Sequence, residues 1–170
     1  MGFVVDENVL RTANGEAPEA GLECQLAAID FLLRCQRERS LTLDDAYRIL
    51  GLYSEHCSHS GQPGVGDQFM VWARDTIGSL QRETLTPRDS SYEEFPNDPG
   101  LSTFDLDDHV WIATAQAGEP HHTVVNAVDS DYVQHKLEFE RNNVTVLELC
   151  PEFVGRSANA RHQKRVRASN

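Results

Sequence analysis

The feature that most constrains this chain is a repeated handover. Short, mostly apolar runs end on an acid and give way to a helical pattern. Phe3-Val4-Val5 stops at Asp6, Leu41-Thr42-Leu43 stops at Asp44-Asp45, and Thr123-Val124-Val125-Asn126-Ala127 is followed by Asp129 and Asp131. Short runs without polar alternation fit strands buried on both faces. Between them, Leu22, Leu26, Ile29 and Leu33 recur at helical spacing and predict a helix over 21–38 with that stripe turned to the core. Asp44 or Asp45 opens a helix carrying Ala46, Ile49, Leu50 and Tyr53, and Asp67 opens another carrying Phe69, Trp72, Ala73, Ile77 and Leu80. Asp105 or Asp107 opens a fourth, through His109–Ala115, and a helix over 129–142 precedes a last strand over 144–149. A further strand is expected near Thr84-Leu85-Thr86. Strands alternating with helices predict an α/β fold, a three-layer α/β/α sandwich with a central parallel sheet. Ligands of such folds bind beyond the carboxyl ends of the strands, where these acids fall.

A length of 170 residues with 39% hydrophobic content suits one domain, drawn over 1–154. The net charge of −12 argues against coating nucleic acid through bulk charge, but it is unevenly spread. Residues 151–170 hold Arg156, Arg161, Lys164, Arg165 and Arg167 against Glu152 alone, which leaves 1–150 at −16. The segment 155–170 lacks apolar periodicity and reads as a basic, disordered tail whose Arg161, Lys164 and Arg165 are candidate substrate contacts. No apolar run is long enough to span a membrane, and no charged-then-apolar leader is evident, so a cytoplasmic protein is expected. Four cysteines do not make a disulfide framework here; Cys24 and Cys35 read as small core hydrophobes, and Cys150 ends an apolar run. His121-His122, in a Gly-Glu-Pro turn, is expected to be solvated.

The acids carry the chemistry. If Asp6, Asp108 and Asp129 converge, carboxylates about 5 Å apart repel by roughly 3 kcal/mol per pair at an effective dielectric near 20. No Lys or Arg lies between Asp98 and Lys136 to offset this. Either protons are taken up or a divalent cation binds, and an all-oxygen donor set selects Mg²⁺ or Mn²⁺. The plain alternative is that each aspartate caps a helix.

Phe3-Val4-Val5-Asp6-Glu7-Asn8-Val9-Leu10 resembles the opening motif of PIN-domain nucleases. Asp105-Leu106-Asp107-Asp108-His109-Val110-Trp111-Ile112-Ala113-Thr114-Ala115 is similar to their later acid-rich helix start, and Val124–Tyr132 to their final acidic strand exit. The resemblance covers 1–150 and implies a metal-dependent ribonuclease, often a toxin partnered by an antitoxin protein. It implies Asp6, Asp108 and Asp129 as catalytic metal ligands, Asp131 as an assisting ligand, and Asn8 as a brace for the loop holding Asp6. RNA is then the substrate, and an antitoxin or a second copy of the chain a partner. Two positions depart from the pattern. The helix-borne acid after the second strand is Leu52, with Glu55 three residues on as a substitute ligand. Ala127 stands where Ser or Thr is usual, with Asn126 the nearest polar side chain. The competing reading is a catalytically impaired PIN-like module that binds protein or RNA.

Overall fold

In a computed structural model, the backbone is described for residues 2–168 and the side chains for residues 2–159. β1 (Phe3–Val5) leads into α1 (Glu7–Ala13) and α2 (Leu22–Glu38), followed by β2 (Thr42–Asp44), α3 (Arg48–His56) and α4 (Val65–Thr76). β3 (Gln81–Glu83) and a small hairpin, β4 (Pro87–Arg88) with β5 (Ser91–Tyr92), come next. α5 (His109–Ala117), β6 (Thr123–Asn126), α6 (Asp131–Gln134), α7 (Lys136–Arg141), β7 (Thr145–Glu148) and α8 (Pro151–Ala168) complete the chain.

The fold is α/β with parallel strands. β1, β6 and β7 form a three-stranded parallel sheet in the order β1-β6-β7. β2 pairs in parallel with β3, and an isolated parallel bridge between Phe3 and Leu41 sets that pair beside β1. The order across the sheet is therefore β3-β2-β1-β6-β7. The chain runs outward from β1 in one direction and later returns to its other side, so the order reverses between β1 and β6. Crevices for ligands open at such reversals, past the carboxyl ends of the strands. Val4, Val5, Leu43, Val124 and Val125 are fully buried, as strands covered on both faces require. Beneath them Tyr53 stacks on Trp111 with ring centroids 6.1 Å apart, and the Tyr53 hydroxyl donates to the Val5 carbonyl.

Several expectations change. α2 forms where the spacing predicts it, but rotated. Its buried residues are Cys24, Ala28, Phe31, Leu32 and Cys35, while Leu22, Leu26 and Leu33 are 67%, 49% and 46% exposed. The longer buried set, which includes two cysteines and an alanine, packs against α1 and α4. The strand expected near Thr84 lies earlier, at Gln81–Glu83. The helix expected over 129–142 is broken into α6 and α7 at His135. His122 is buried rather than solvated: its Nδ1 accepts from the Gly2 N–H and its Nε2 pairs with Glu83 at 2.8 Å. From Pro151 the backbone is helical to Ala168, where a tail without regular structure is expected from residue 155. The side chains of Arg161, Lys164 and Arg165 lie outside the described residues.

Cys24 and Cys150 are joined as a disulfide, so neither is a plain core hydrophobe; Cys35 and Cys57 are free and buried. Sequence spacing gave no sign of this pair, which only the folded path brings together across 126 residues. Reducing compartments keep most thiols open, so the bond also probes where the chain matures. Closing so long a loop restricts the unfolded chain, an effect worth about 2–5 kcal/mol. Cys24→Ser/Cys150→Ser should lower the unfolding free energy by that amount in urea titrations. Unreduced, denatured parent protein should show two reactive thiols; four would mean the bond does not form.

Candidate acid site at the strand exits

The carboxyl ends of β1, β6 and β7 converge, and each delivers polar side chains. Asp6, directly after β1, caps α1: its Oδ1 accepts the Asn8 N–H at 2.9 Å, and its Oδ2 accepts the Tyr132 hydroxyl at 2.7 Å. It is 1% exposed. Burial, then the nearby charges of Glu7 and Asp108, hold its carboxyl well above the usual aspartate range. Capping geometry and burial thus coexist at this residue, and the capping bond alone does not neutralise it.

Asp108 ends the 3-10 turn Leu106–Asp108 that leads into α5. Its pKa is pushed up to about 8, first by burial, then by Asp129, Glu7 and Asp105. The indole of the fully buried Trp111 lies beside this carboxyl and opposes the rise, yet its Nε1–H completes no hydrogen bond. Glu148, the last residue of β7, is pushed up to about 7 by burial; the Asn126 amide pulls the other way, Asp129 adds to the rise, and Lys136 opposes it. Asp6, Asp108, Asp129 and Glu148 therefore form a chain of mutual repulsion around Tyr132, whose own hydroxyl is raised by burial and by Asp6, Asp108 and Asp129.

Two asparagines brace this corner. Asn8 Nδ2 donates to Asn126 Oδ1 at 2.9 Å, while Asn8 Oδ1 accepts the Ala127 N–H at 2.9 Å. Asn126 Nδ2 reaches the Asp129 carbonyl at 2.7 Å and Glu148 Oε2 at 2.6 Å. Asn126 faces Glu148 in the β6–β7 register, so neighbouring parallel strands place amide and carboxyl side by side. Asp129 Oδ1 accepts the Asp131 N–H at 2.9 Å, and Asp131 Oδ1 accepts from Gln134 Nε2 at 2.9 Å.

The residues expected from sequence divide accordingly. Asp108, on the turn before α5, acts on Asp6 and on Asp129, and Asn8 and Asn126 bridge the β1 and β6 exits that precede Asp6 and Asp129. Asp131 turns its carboxylate to the first turn of α6. Glu55 is exposed; with Leu52, Arg48, Tyr92 and Asp107 it lines a separate cleft of about 620 Å³. Sequence reasoning missed Glu7, Glu148 and Tyr132. Glu148 was within reach of the strand-exit rule, because it lies one residue before the end of the strand expected over 144–149.

Among the described residues, no three His, Cys, Asp or Glu side chains stand close enough to cage a metal ion. The carboxylates instead take local donors: the Asn8 N–H, the Tyr132 hydroxyl and the Asp131 N–H. In its donor chemistry the set still fits a hard divalent cation, being all carboxyl oxygen with no competing nitrogen or sulfur donor. No protein-family model matches the chain, and no curated protein or solved structure matches it.

Each raised carboxyl binds its proton more tightly in the folded chain than in the unfolded one. Between about pH 4 and the folded value, the folded state therefore holds protons that the unfolded state has released, and stability falls as pH rises. For Asp108 this loss runs up to about pH 8. With a chelator present, the melting temperature should be higher at pH 5 than at pH 8. Asp108→Asn should flatten that difference and raise the value at pH 8, each kcal/mol being worth about 2–4 °C for a chain of this size. Circular-dichroism melts across pH check both; an unchanged slope in the variant removes Asp108 as the source.

Proposed function

We propose that this chain is a metal-dependent ribonuclease of PIN type, its elements arranged as a three-layer α/β/α sandwich. The observation that carries the reading is the row of mutually repelling carboxyls, Asp6 buried and the others half-buried, at the reversal of strand order. Burial without a cationic partner is costly unless the group is neutralised, and a catalytic site is where such cost recurs. Asp6, Asp108 and Asp129 would hold Mg²⁺ or Mn²⁺, with Glu148 beside them and Asp131 assisting. When bound, the ion supplies activation of water and neutralisation of charge on the scissile phosphate. Asn8 and Asn126 fix the two strand exits relative to each other, and Tyr132 orients Asp6. The cleft of about 620 Å³ runs from α3 to the turn carrying Asp107, next in sequence to Asp108, and offers the approach for an RNA strand. There the Arg48 guanidinium lies 5.9 Å from the centre of the Tyr92 ring, a pairing suited to a phosphate and a stacked base. Arg161, Lys164 and Arg165 would add phosphate contacts, and a toxin of this kind would be held by an antitoxin protein.

One observation favours the impaired, binding-module reading. Leu52 puts an apolar side chain into the cleft wall where the resemblance implies an acid, and Glu55 is exposed beside it.

Cleavage of a labelled single-stranded RNA in Mn²⁺ decides between them. Asp6→Asn and Asp129→Asn should each lower the rate at least about 100-fold, and Asn8→Ala about 10–100-fold, with far-UV circular dichroism unchanged. Parental protein should also gain melting temperature as Mn²⁺ is titrated. Equal rates in both aspartate variants overturn the catalytic assignment. A metal shift without cleavage leaves the binding module.

A further inference from the structure

Most of the apolar stripe of α2 lies outside the core: Leu22, Leu26 and Leu33 are exposed, while Ile29 is half-buried against it. Leu22, Leu26, Ile29 and Leu33 are spaced by four, three and four residues, the alternation of a coiled-coil seam. At 100° per residue their mean direction lies about 150° around the axis from the buried side. Three of the four are among the six most exposed large hydrophobics of the described residues. The stripe is bordered on one side by charge: Glu23 near the amino end, Asp30 at the midpoint, and Arg34 and Arg37 towards the carboxyl end. Among the described residues, none of these four pairs with an opposite charge of its own chain.

We infer that α2 is the contact surface of a symmetric homodimer, packed antiparallel against α2 of a second copy. A two-fold axis near Ile29-Asp30 sets Leu26 against Leu33 of the other copy and brings Glu23 opposite its Arg37, twice over. An isologous contact needs a surface complementary to itself under rotation; one apolar seam flanked by Glu23 near one end and by Arg34 and Arg37 towards the other meets that need, and these pairs offset the two Asp30 residues that the axis brings together. A parallel pair would instead set Glu23 on Glu23 and Arg37 on Arg37. α2 spans about 25 Å, so the seam alone falls short of a standard interface and the dimer is weak and concentration-dependent. The inference is independent of the nuclease reading, since α2 carries none of the acid-site residues.

Sedimentation equilibrium on the full chain, from about 1 µM to about 1 mM, tests it. A reversible monomer–dimer equilibrium is expected. Leu26→Glu and Leu33→Glu, both on exposed positions, should weaken it at least about 30-fold, as loss of a hot-spot contact does. Circular dichroism should stay at the parental spectrum. Glu23→Arg and Arg37→Glu should each weaken association, and the double swap should restore it. A monomer across the whole range overturns the inference, as does a dimer indifferent to Leu26→Glu and Leu33→Glu. Failure of the double swap to restore association overturns the antiparallel pairing.

Discussion

Parallel strands that start on one side of a sheet must finish on the other together, and here three of them finish on polar residues. That convergence sets Asp6 after β1, Asn126 at the end of β6 and Glu148 at the end of β7 within one small volume. The amide of Asn126 is the shared element, since it touches Asn8, Glu148 and the Asp129 backbone at once. A neutral donor–acceptor pair, Asn8 with Asn126, can hold two strand exits together without adding charge. An ion pair at the same place would favour the ionised carboxylates and lower their raised pKa values.

The arrangement also explains why so acidic a chain folds. Most of its carboxylates lie on the surface, where water and salt screen them. The few that are buried take up local hydrogen-bond donors, as Asp6 does from the Asn8 N–H and the Tyr132 hydroxyl. Asp44 is fully buried yet satisfied, accepting the Arg48 and Ile49 N–H groups at the start of α3. Asp67 does similar work for α4 by accepting the Gly64 N–H. Against these, Asp6, Asp108 and Glu148 stand apart because their neighbours are other acids.

Sequence carried the fold class well, because uninterrupted apolar triplets and the acids behind them are local signals. β1, β2, β6 and β7 sit where such runs occur. The acids of the site were legible for the same reason: Asp6, Asp108 and Asp129 each follow or open an element. Other features were not local. The rotation of α2 depends on which face α1 and α4 cover, and two apolar stripes on one helix compete with equal claim. The burial of His122 depends on Gly2 and Glu83, both distant in sequence. Tyr132 meets Asp6 only because the fold brings together two residues 126 apart in sequence. Glu148 had a local signal, an acid within the last expected strand, but its approach to Asn126 depends on the β6–β7 register.

The bond between Cys24 and Cys150 has a topological result. It encloses β2, β3, α5, β6 and β7, and with them Asp108, Asp129 and Glu148, in one covalent ring, while β1 with Asp6 stays on the free amino-terminal arm. A single protease cut anywhere inside that ring, for instance in the turns around Pro96 and Pro99, opens the circle without releasing a fragment. The arm bearing Asp6 has no such tether, and a cut after α1 would set it loose from the other three acids.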